Sequence, residues 1–582
     1  MNTEWSLSGM YAGLDDPRYQ EDLKQIDVLT AQLNKLVEKT GSMDQREAAV
    51  EILKTEEQMV SLLGKVGLYV GLRLAVDTAN PELAAQDNLC MKKYAVMAKP
   101  LTSAKKFLAK LPEEVIAADE FLSEYSYLLA ETKKEVSHLL DDEMEELISS
   151  MDMTGGSAWA RLFTYLTSTV KVDYEGKTVT LSEIRNMAYS PDKTVRKTAY
   201  EAELVSYEKI QDSIAYALNN IKSQVTMLCR KRGYASPLEM TLEQSRMSKK
   251  TLEAMLEAMQ EYLPKFHQYL RAKGKALGHE NGLPWYDLFA PMGASDKRYS
   301  LEECRDLLIQ VFSGFSEEMS GMMRRAFDES WIDFYPREGK EGGAFDAFAD
   351  CLKQSRILTN YDGYFGDVDT LAHELGHAFH DRQIEYNRPL NQEYSMPVAE
   401  TASTFNETHL LKAMLKESEG EEKLNLLESF LMNTTQIICD IYSRYLFETA
   451  VFEKCEDSFM MPDQLKEIML DAQKKAYGDG LDQSCLHPYM WACKGHYYSS
   501  GLSFYNFPYA FGGLFAMGLY HMYEQEGSSF VPKYKAMLKA TPTASIEEAA
   551  AMMGADLTKA DFWRESLQAF AELIDEFCKI CG

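Results

Sequence analysis

The stretch from Asp367 to His380, DVDTLAHELGHAFH, contains His373-Glu374-Leu375-Gly376-His377. Few five-residue patterns constrain a fold as tightly. On a helix, residues four apart lie one turn apart on the same face, so both imidazoles can meet one ion with Glu374 beside it. Leu371, Leu375 and Ala378 fall on a different face, which predicts one side buried and the other turned to a cavity. Asp367 or Asp369 suits the N-terminal end of such a helix as a cap. Two histidines alone make no site. The chain must also supply a third donor, a group that stabilises developing negative charge, and a groove.

A third histidine six residues after the second is the solution of one class of zinc sites, and Gln383 stands there instead. His380 lies about two turns, or ~10 Å, from His373 and is too far to share its ion. The remaining solution is a carboxylate on a following helix. Met396 to Glu407, MPVAETASTFNE, offers one, with Pro397 suited to an early helical position. Glu400 and Glu407 are seven apart and share a face among the small residues Ala399, Ala402 and Ser403. Glu400 is expected as the third ligand, and Glu407 as the carboxylate that orients a ligand imidazole from behind. His409 points elsewhere.

Two histidines and one glutamate leave a coordination position open, as in catalytic rather than structural sites. Nitrogen and carboxylate donors favour a single Zn²⁺, with Co²⁺ or Mn²⁺ as substitutes. Glu374, not itself a ligand, is expected to be the general base toward water that the zinc activates, delivering the proton to the leaving amine.

At 582 residues and 66.2 kDa the chain exceeds one simple core, so two or more lobes are expected. Its net charge of −29 repels phosphate backbones and acidic lipid, which argues against nucleic-acid and membrane roles. The ten cysteines show no framework spacing and read as reduced thiols, and Cys578-Lys-Ile-Cys581 lacks a second pair to complete a metal site. The opening residues have no basic stretch followed by an apolar run, so the cytoplasm is the expected location.

Helical periodicity runs from Asp16 to about Leu111, with Asn80-Pro81 as a cap and first-turn proline. A hairpin is expected near residues 169–181, feeding a helix at Ser182. Ser190-Pro191 would open a further helix, and no proline or glycine interrupts residues 192–232, which predicts about forty residues and ~60 Å of helix. Residues 281–300 are less helical, 331–360 are strand-like and loop-rich, and beyond Glu400 the chain is helical again. The reading is mainly α, with one small sheet just ahead of the metal motif. An N-terminal helical lobe is placed at residues 1–195 and a catalytic lobe at 196–582.

Between Gly495 and Gln525 only Glu524 is charged. Serines, Asn506, Pro508 and paired glycines fit a buried helical segment with a tyrosine-lined face better than a membrane span. His496, Tyr497, Tyr498, Tyr505 and Tyr509 crowd it. Tyr505 and Tyr509, four apart, can face one point, and a phenol or imidazole there could stabilise the oxyanion of amide hydrolysis. Gly342-Gly343-Ala344-Phe345 reads equally as a turn or as an edge strand that a peptide could join.

HELGHAFH followed by PVAETASTFNE resembles the oligoendopeptidase F branch of the thimet-oligopeptidase-like zinc metallopeptidases. The likeness extends through EWSLSGMY, TLSEIRNMAYSPDKTVRKTAYEA, WIDFYPREGKEGGAF, NYDGYFGDVDTLAHE and GHYYSSGLSFYNFPYAFGG, so it spans most of the chain. The resemblance implies a two-lobed helical enclosure around a deep channel with zinc on its floor. It implies endopeptidase action on oligopeptides, with folded proteins excluded. It also implies that His496 and Tyr509, and with them Tyr505, contact substrate and oxyanion, and it favours Gly342 to Phe345 as groove. Two alternatives stand beside it: a metallocarboxypeptidase or dipeptidase on the same scaffold, and a peptide-binding protein without catalysis. Retention of Glu374 with all three expected ligands argues against the last.

Overall fold

The structure is a computed structural model and describes residues 2–293 and 297–582. It is helical throughout, apart from a two-stranded hairpin and one three-stranded sheet among the described residues. Residues 294–296 of the irregular patch expected at 281–300 lie outside the described residues.

The first three long helices are α1 (Pro17–Lys39), α2 (Gln45–Ala75) and α3 (Pro81–Leu108). Each starts on a side-chain cap. Asp16 accepts from Arg18 N, Asp44 from Arg46 N and Glu47 N, and Asn80 from Glu82 N and Leu83 N, with Pro81 in the first turn as its sequence predicts. Their apolar stripes form a separate core around Leu33, Ile52, Met59 and Tyr125. All other buried apolar residues of the chain's larger core lie from Phe163 onward.

The larger core reaches back before residue 195. Helix α4 (Gly156–Thr169) and the hairpin of β1 (Val172–Tyr174) and β2 (Lys177–Val179) pack on the larger core, where Phe163 stacks on Tyr498 with ring centroids 3.9 Å apart. The hairpin turns on Glu175 and Gly176, both at positive φ as a two-residue type I′ connection requires. Thr180 then caps the next short helix in a capping box with Glu183.

The forty-residue helix expected from 192 to 232 is two helices, α5 (Lys193–Glu208) and α6 (Gln211–Lys231). Its first cap is Asp192 rather than Ser190, because the Asp192 carboxylate accepts from Thr194 N. The break comes at Lys209-Ile210, where both amides bond three residues back and Ile210 is driven into the core. Neither glycine nor proline marks it. Helix α7 (Lys249–Ala276) follows.

Strands β3 (Ile332–Asp333), β4 (Phe345–Ala349) and β5 (Gln354–Leu358) form the sheet in the order β3-β5-β4, with β3 parallel and β4 antiparallel to β5. β4 is thus an edge strand. The N-terminal lobe is tied to the loops of this sheet by main-chain bonds, Glu341 N to Ala75 O at 2.7 Å and Thr78 N to Gly339 O at 2.8 Å, and Glu57 pairs with Arg388 farther along the chain.

The sheet feeds α8 (Phe365–Ile384), which carries the histidine motif. Helix α9 (Thr401–Glu417) crosses it, and α10 (Gly420–Thr435) continues through a π-turn (Gln436–Asp440) into α11 (Ile441–Cys455). The uncharged segment becomes α12 (Phe507–Glu526), buried from Phe507 to Tyr520 apart from Tyr509, and α13 (Ala560–Cys581) closes the chain. Among the described residues no helix is long and apolar enough to cross a membrane.

Candidate active site

Helix α8 begins at Phe365. Its first turn is closed by Asp367, whose carboxylate accepts from Tyr364 N and Asp362 N at 3.0 Å each. Leu371, Leu375 and Ala378 are buried as their spacing predicts. The opposite face carries Asp369, His373, His377 and Asp381 at successive turns.

Helix α9 approaches this face unusually closely at Gly376. A Cβ on Gly376 would meet Ala402 O and Ser403 Cα at 2.6 Å each, so only glycine admits the crossing. Asn406 Nδ2 donates to Ala372 O at 3.0 Å and pins the two helices together. Glu400 lies just before α9, at the break between a short helix (Met396–Ala399) and α9, rather than within one helix that also holds Glu407. Ser403 Oγ bonds both the Glu400 carbonyl and its Oε2 at 3.0 Å, which fixes the carboxylate.

Three donor atoms converge. His373 Nε2 and His377 Nε2 are 3.2 Å apart, and Glu400 Oε2 is 3.3 Å from the first and 3.5 Å from the second. Donors about 2.0–2.1 Å from a tetrahedral zinc ion stand ~3.3–3.4 Å from one another, so the triangle fits such an ion. It is the single His/Cys/Asp/Glu group among the described residues with this capacity. Behind it, His373 Nδ1 bonds the Glu407 carboxylate, leaving Nε2 to face the cluster.

Electrostatics follow from the crowding of acids. Burial works to lower the His373 imidazole, but its hydrogen bonds to Glu400 and Glu407 outweigh that and raise it to about 11. Burial likewise opposes ionisation of Glu400, yet the two histidines hold it well below the usual carboxylate range. Glu374 is 6% exposed, and burial raises its carboxyl against the pull of His373 and His377. A buried carboxyl above its ordinary range is closer to the pKa that a proton acceptor and donor near neutrality needs.

His373, Glu374 and Glu400 border two cavities at once. One, about 790 Å³, continues past Tyr509, Ile437 and α10. The other, about 420 Å³, is bounded by β4 through Ala344, Phe345 and Asp346. The donor cluster therefore sits in the floor between an edge strand and a helical wall.

The remaining expected residues divide. Tyr509 faces the cleft, and its hydroxyl is 2.6 Å from that of Tyr505. Burial raises the Tyr509 phenol well above its ordinary range, so it is a proton-bearing donor. His496 is 6.0 Å from the Tyr505 ring and does not border either cavity; burial and the nearby Arg444 and Lys494 lower its imidazole to about 2, so it is neutral. Ala344 and Phe345 reach the groove, whereas Gly342 and Gly343 precede the strand, with Gly343 at φ +83° and its carbonyl held by Asn360. His380 is buried, stacked on Tyr394 and bonded to Thr541 Oγ1 at 2.8 Å; His409 Nε2 bonds Val311 O.

Asp346 and Asp381 escaped the reading of the sequence, and Asp369, expected only as a possible cap, lines the cleft instead while Asp367 closes the first turn. Asp346 and Asp381 both accept from Ser355 Oγ, and burial raises both carboxyls. The four-residue ladder 369-373-377-381 was the signal that could have found two of the three.

The model of peptidase family M3 matches residues 186–569, and a model described as oligopeptidase F matches residues 108–171. Oligopeptidase PepF of Bacillus subtilis (strain 168) is 24% identical over 587 residues, covering 98% of this chain and 86% of the relative. The oligoendopeptidase F homolog of Lactococcus lactis subsp. lactis (strain IL1403) is 24% identical, with 99% of this chain and 97% of the relative covered. The crystal structure of oligoendopeptidase-F from Enterococcus faecium has the same fold, with a TM-score of 0.70 at 18% identity over 97% of this chain and 98% of that one.

Proposed function

The chain belongs to peptidase family M3, and on that premise we propose that it is a zinc-dependent oligoendopeptidase that cuts internal bonds of short unstructured peptides. It is a metallopeptidase acting on peptide bonds. The observation that carries the finer reading is the 3.2–3.5 Å triangle of His373, His377 and Glu400 donors set between two open cavities. These three residues would hold the ion, and Glu407 would keep the His373 ring turned toward it. When bound, Zn²⁺ supplies Lewis acidity toward the scissile carbonyl and toward water.

The chain's own groups do the rest. Glu374 Oε accepts the proton of the attacking water and returns it to the departing amide nitrogen, which its raised pKa favours. Tyr509 Oη, supported by the Tyr505 hydroxyl, donates to the oxygen where negative charge develops. His496, neutral and beside Tyr505, is assigned a positioning role on that tyrosine pair. Ala344 and Phe345 at the start of β4 give an extended peptide a backbone edge to pair with. Ten unpaired cysteines suit a reducing compartment, and we assign the cytoplasm.

The deciding assay is cleavage of an internally quenched peptide blocked at both ends, read by mass spectrometry, with and without a chelator and after zinc is restored. Internal cuts that vanish on chelation and return with zinc are expected. Cleavage only of unblocked termini would transfer the assignment to an exopeptidase. Glu374→Gln should keep its zinc while kcat falls at least about 10³-fold.

A further inference from the structure

A third cavity, of about 690 Å³, is separated from the metal cleft by the π-turn at Gln436–Asp440. Gln436 lines this cavity, and the next residue, Ile437, lines the cleft that also holds His373 and Tyr509. One turn of chain divides the two spaces. π-turns within helices recur at functional sites because they misalign the ladder and free polar groups.

The two spaces differ in charge. The cleft is walled by carboxylates, Glu374, Glu400, Glu407 and Asp369, with Lys297 as the one lysine or arginine among its described lining residues. The third cavity reverses this, with Arg185, Arg196, Arg444 and Lys494 lining it against a single carboxylate, Glu203. Three of those cations have partners. Arg196 Nε donates to Asp287 at 2.8 Å, Arg444 donates to Asp440 and Asn506, and Arg185 lies 3.3 Å from Glu203.

Lys494 differs. Its nearest carboxylate, Asp440, is 4.0 Å away and already bonded by Arg444. No acceptor lies within hydrogen-bonding distance of its ammonium among the described residues. The Lys494 side chain is half-buried, and beside it Gln436 Nε2 and Arg444 Nε are fully buried without acceptors. Buried donors are normally satisfied, so a surplus of them around one space points to an acceptor that is bound there. Burial also lowers the Lys494 ammonium, a cost that an anion would offset.

We infer that this cavity receives the free C-terminal carboxylate of the peptide whose internal bond lies at the metal cleft, with Lys494 as the residue that recognises it. The inference rests on the peptidase reading above. Gln436 and Ile437, adjacent in the turn, place this space next to the cleft, and the α-carboxylate is the one anion every peptide carries. Tyr189, Tyr200 and Phe289 on the walls accommodate side chains of any polarity. A charge held at a fixed distance from the scissile bond sets how many residues follow that bond. It selects short peptides by where they end.

The test compares one peptide as free acid, as C-terminal amide, and as a free acid with its internal Asp and Glu residues changed to Asn and Gln. kcat/KM is measured on the wild type, and Kd on the zinc-loaded Glu374→Gln protein, which binds without turnover. Amidation should cost about tenfold or more in both, and the internal changes little, since a charge-assisted bond is lost only in the first case. In Lys494→Met the acid should fall to the level of the amide, whereas Lys494→Arg should keep the preference. Equal values for acid and amide in the wild type would overturn the inference while leaving the peptidase reading intact. A loss caused by the internal changes instead would assign the cavity to a side-chain carboxylate and overturn the C-terminal assignment. If the wild type cut none of the three, the peptidase reading itself would fail.

Discussion

Replacing Gly376 by alanine is the sharpest test of how the site is assembled. The added methyl would stand 2.6 Å from Ala402 O and from Ser403 Cα, where ordinary contact begins near 3.4 Å. Helix α9 must therefore retreat by about 0.8 Å, since both obstacles are backbone and cannot rotate aside. Glu400 sits three residues before Ser403 and is hydrogen-bonded to it, so it moves with the helix. Metal sites tolerate about 0.2 Å in a ligand distance. Zinc affinity should fall at least about 10–100-fold, as it does when the groups supporting a ligand are disturbed. In the metal-free protein, overpacking costs about 1–3 kcal/mol and the better helix propensity of alanine returns about 1, leaving a net loss of up to about 2 kcal/mol. Competitive titration with a chromophoric chelator gives the affinity, and urea unfolding of the metal-free protein gives the stability. Zinc binding within threefold of wild type, together with unchanged or increased stability, would refute the claim that this single close approach sets the ligand geometry.

Other outcomes follow from the same geometry. Glu407→Ala should weaken zinc binding by about 10–100-fold while leaving the fold intact, read by the same titration. Tyr509→Phe should lower kcat by about 10²-fold with zinc content unchanged, and Tyr505→Phe by less, because Tyr505 acts through its partner's hydroxyl. The raised pKa of His373 fixes the sign of two pH effects. Zinc must displace a proton from that ring, so apparent affinity should rise with pH by up to tenfold per unit through neutrality, with proton release seen in calorimetry in buffers of different ionisation heat. In the metal-free protein the same group contributes stability that is full below about 6.5 and is lost as pH rises toward 11, so the Tm without metal should fall on the alkaline side.

The parts of the site that one helix builds by itself were legible in the sequence. Two histidines and a glutamate at turn spacing needed only the periodicity of α8, and the apolar stripe of Leu371, Leu375 and Ala378 predicted which side faces inward. Glu400 was found by its chemistry and its small neighbours, but its backbone was not. The break before α9 depends on Ser403 bonding back to Glu400 and on Gly512 of α12, where a Cβ would come within 3.1 Å of the Glu400 side chain. The second of these contacts joins residues more than a hundred positions apart and leaves no local pattern. The same holds for Asp346 and Asp381, which meet only because β4 lies against α8, and for the break at Lys209-Ile210, where tertiary burial overrides an uninterrupted helical period. Lys494 and Gln436 are ordinary surface-type residues in sequence. Only packing buries the Gln436 amide nitrogen without an acceptor and leaves the Lys494 ammonium unpaired.

The separate apolar core of the N-terminal helices has a consequence for heat and storage. Two cores joined mainly by loop bonds are two cooperative units, and the smaller one, built on α1 to α3, should open at lower temperature than the core that carries the metal donors. The N-terminal helices and the helices that hold the metal donors would then have different melting points. A calorimetric scan should show two transitions, with peptide turnover lost only at the second. Heat would thus loosen α1 to α3 first and leave the donor cluster assembled.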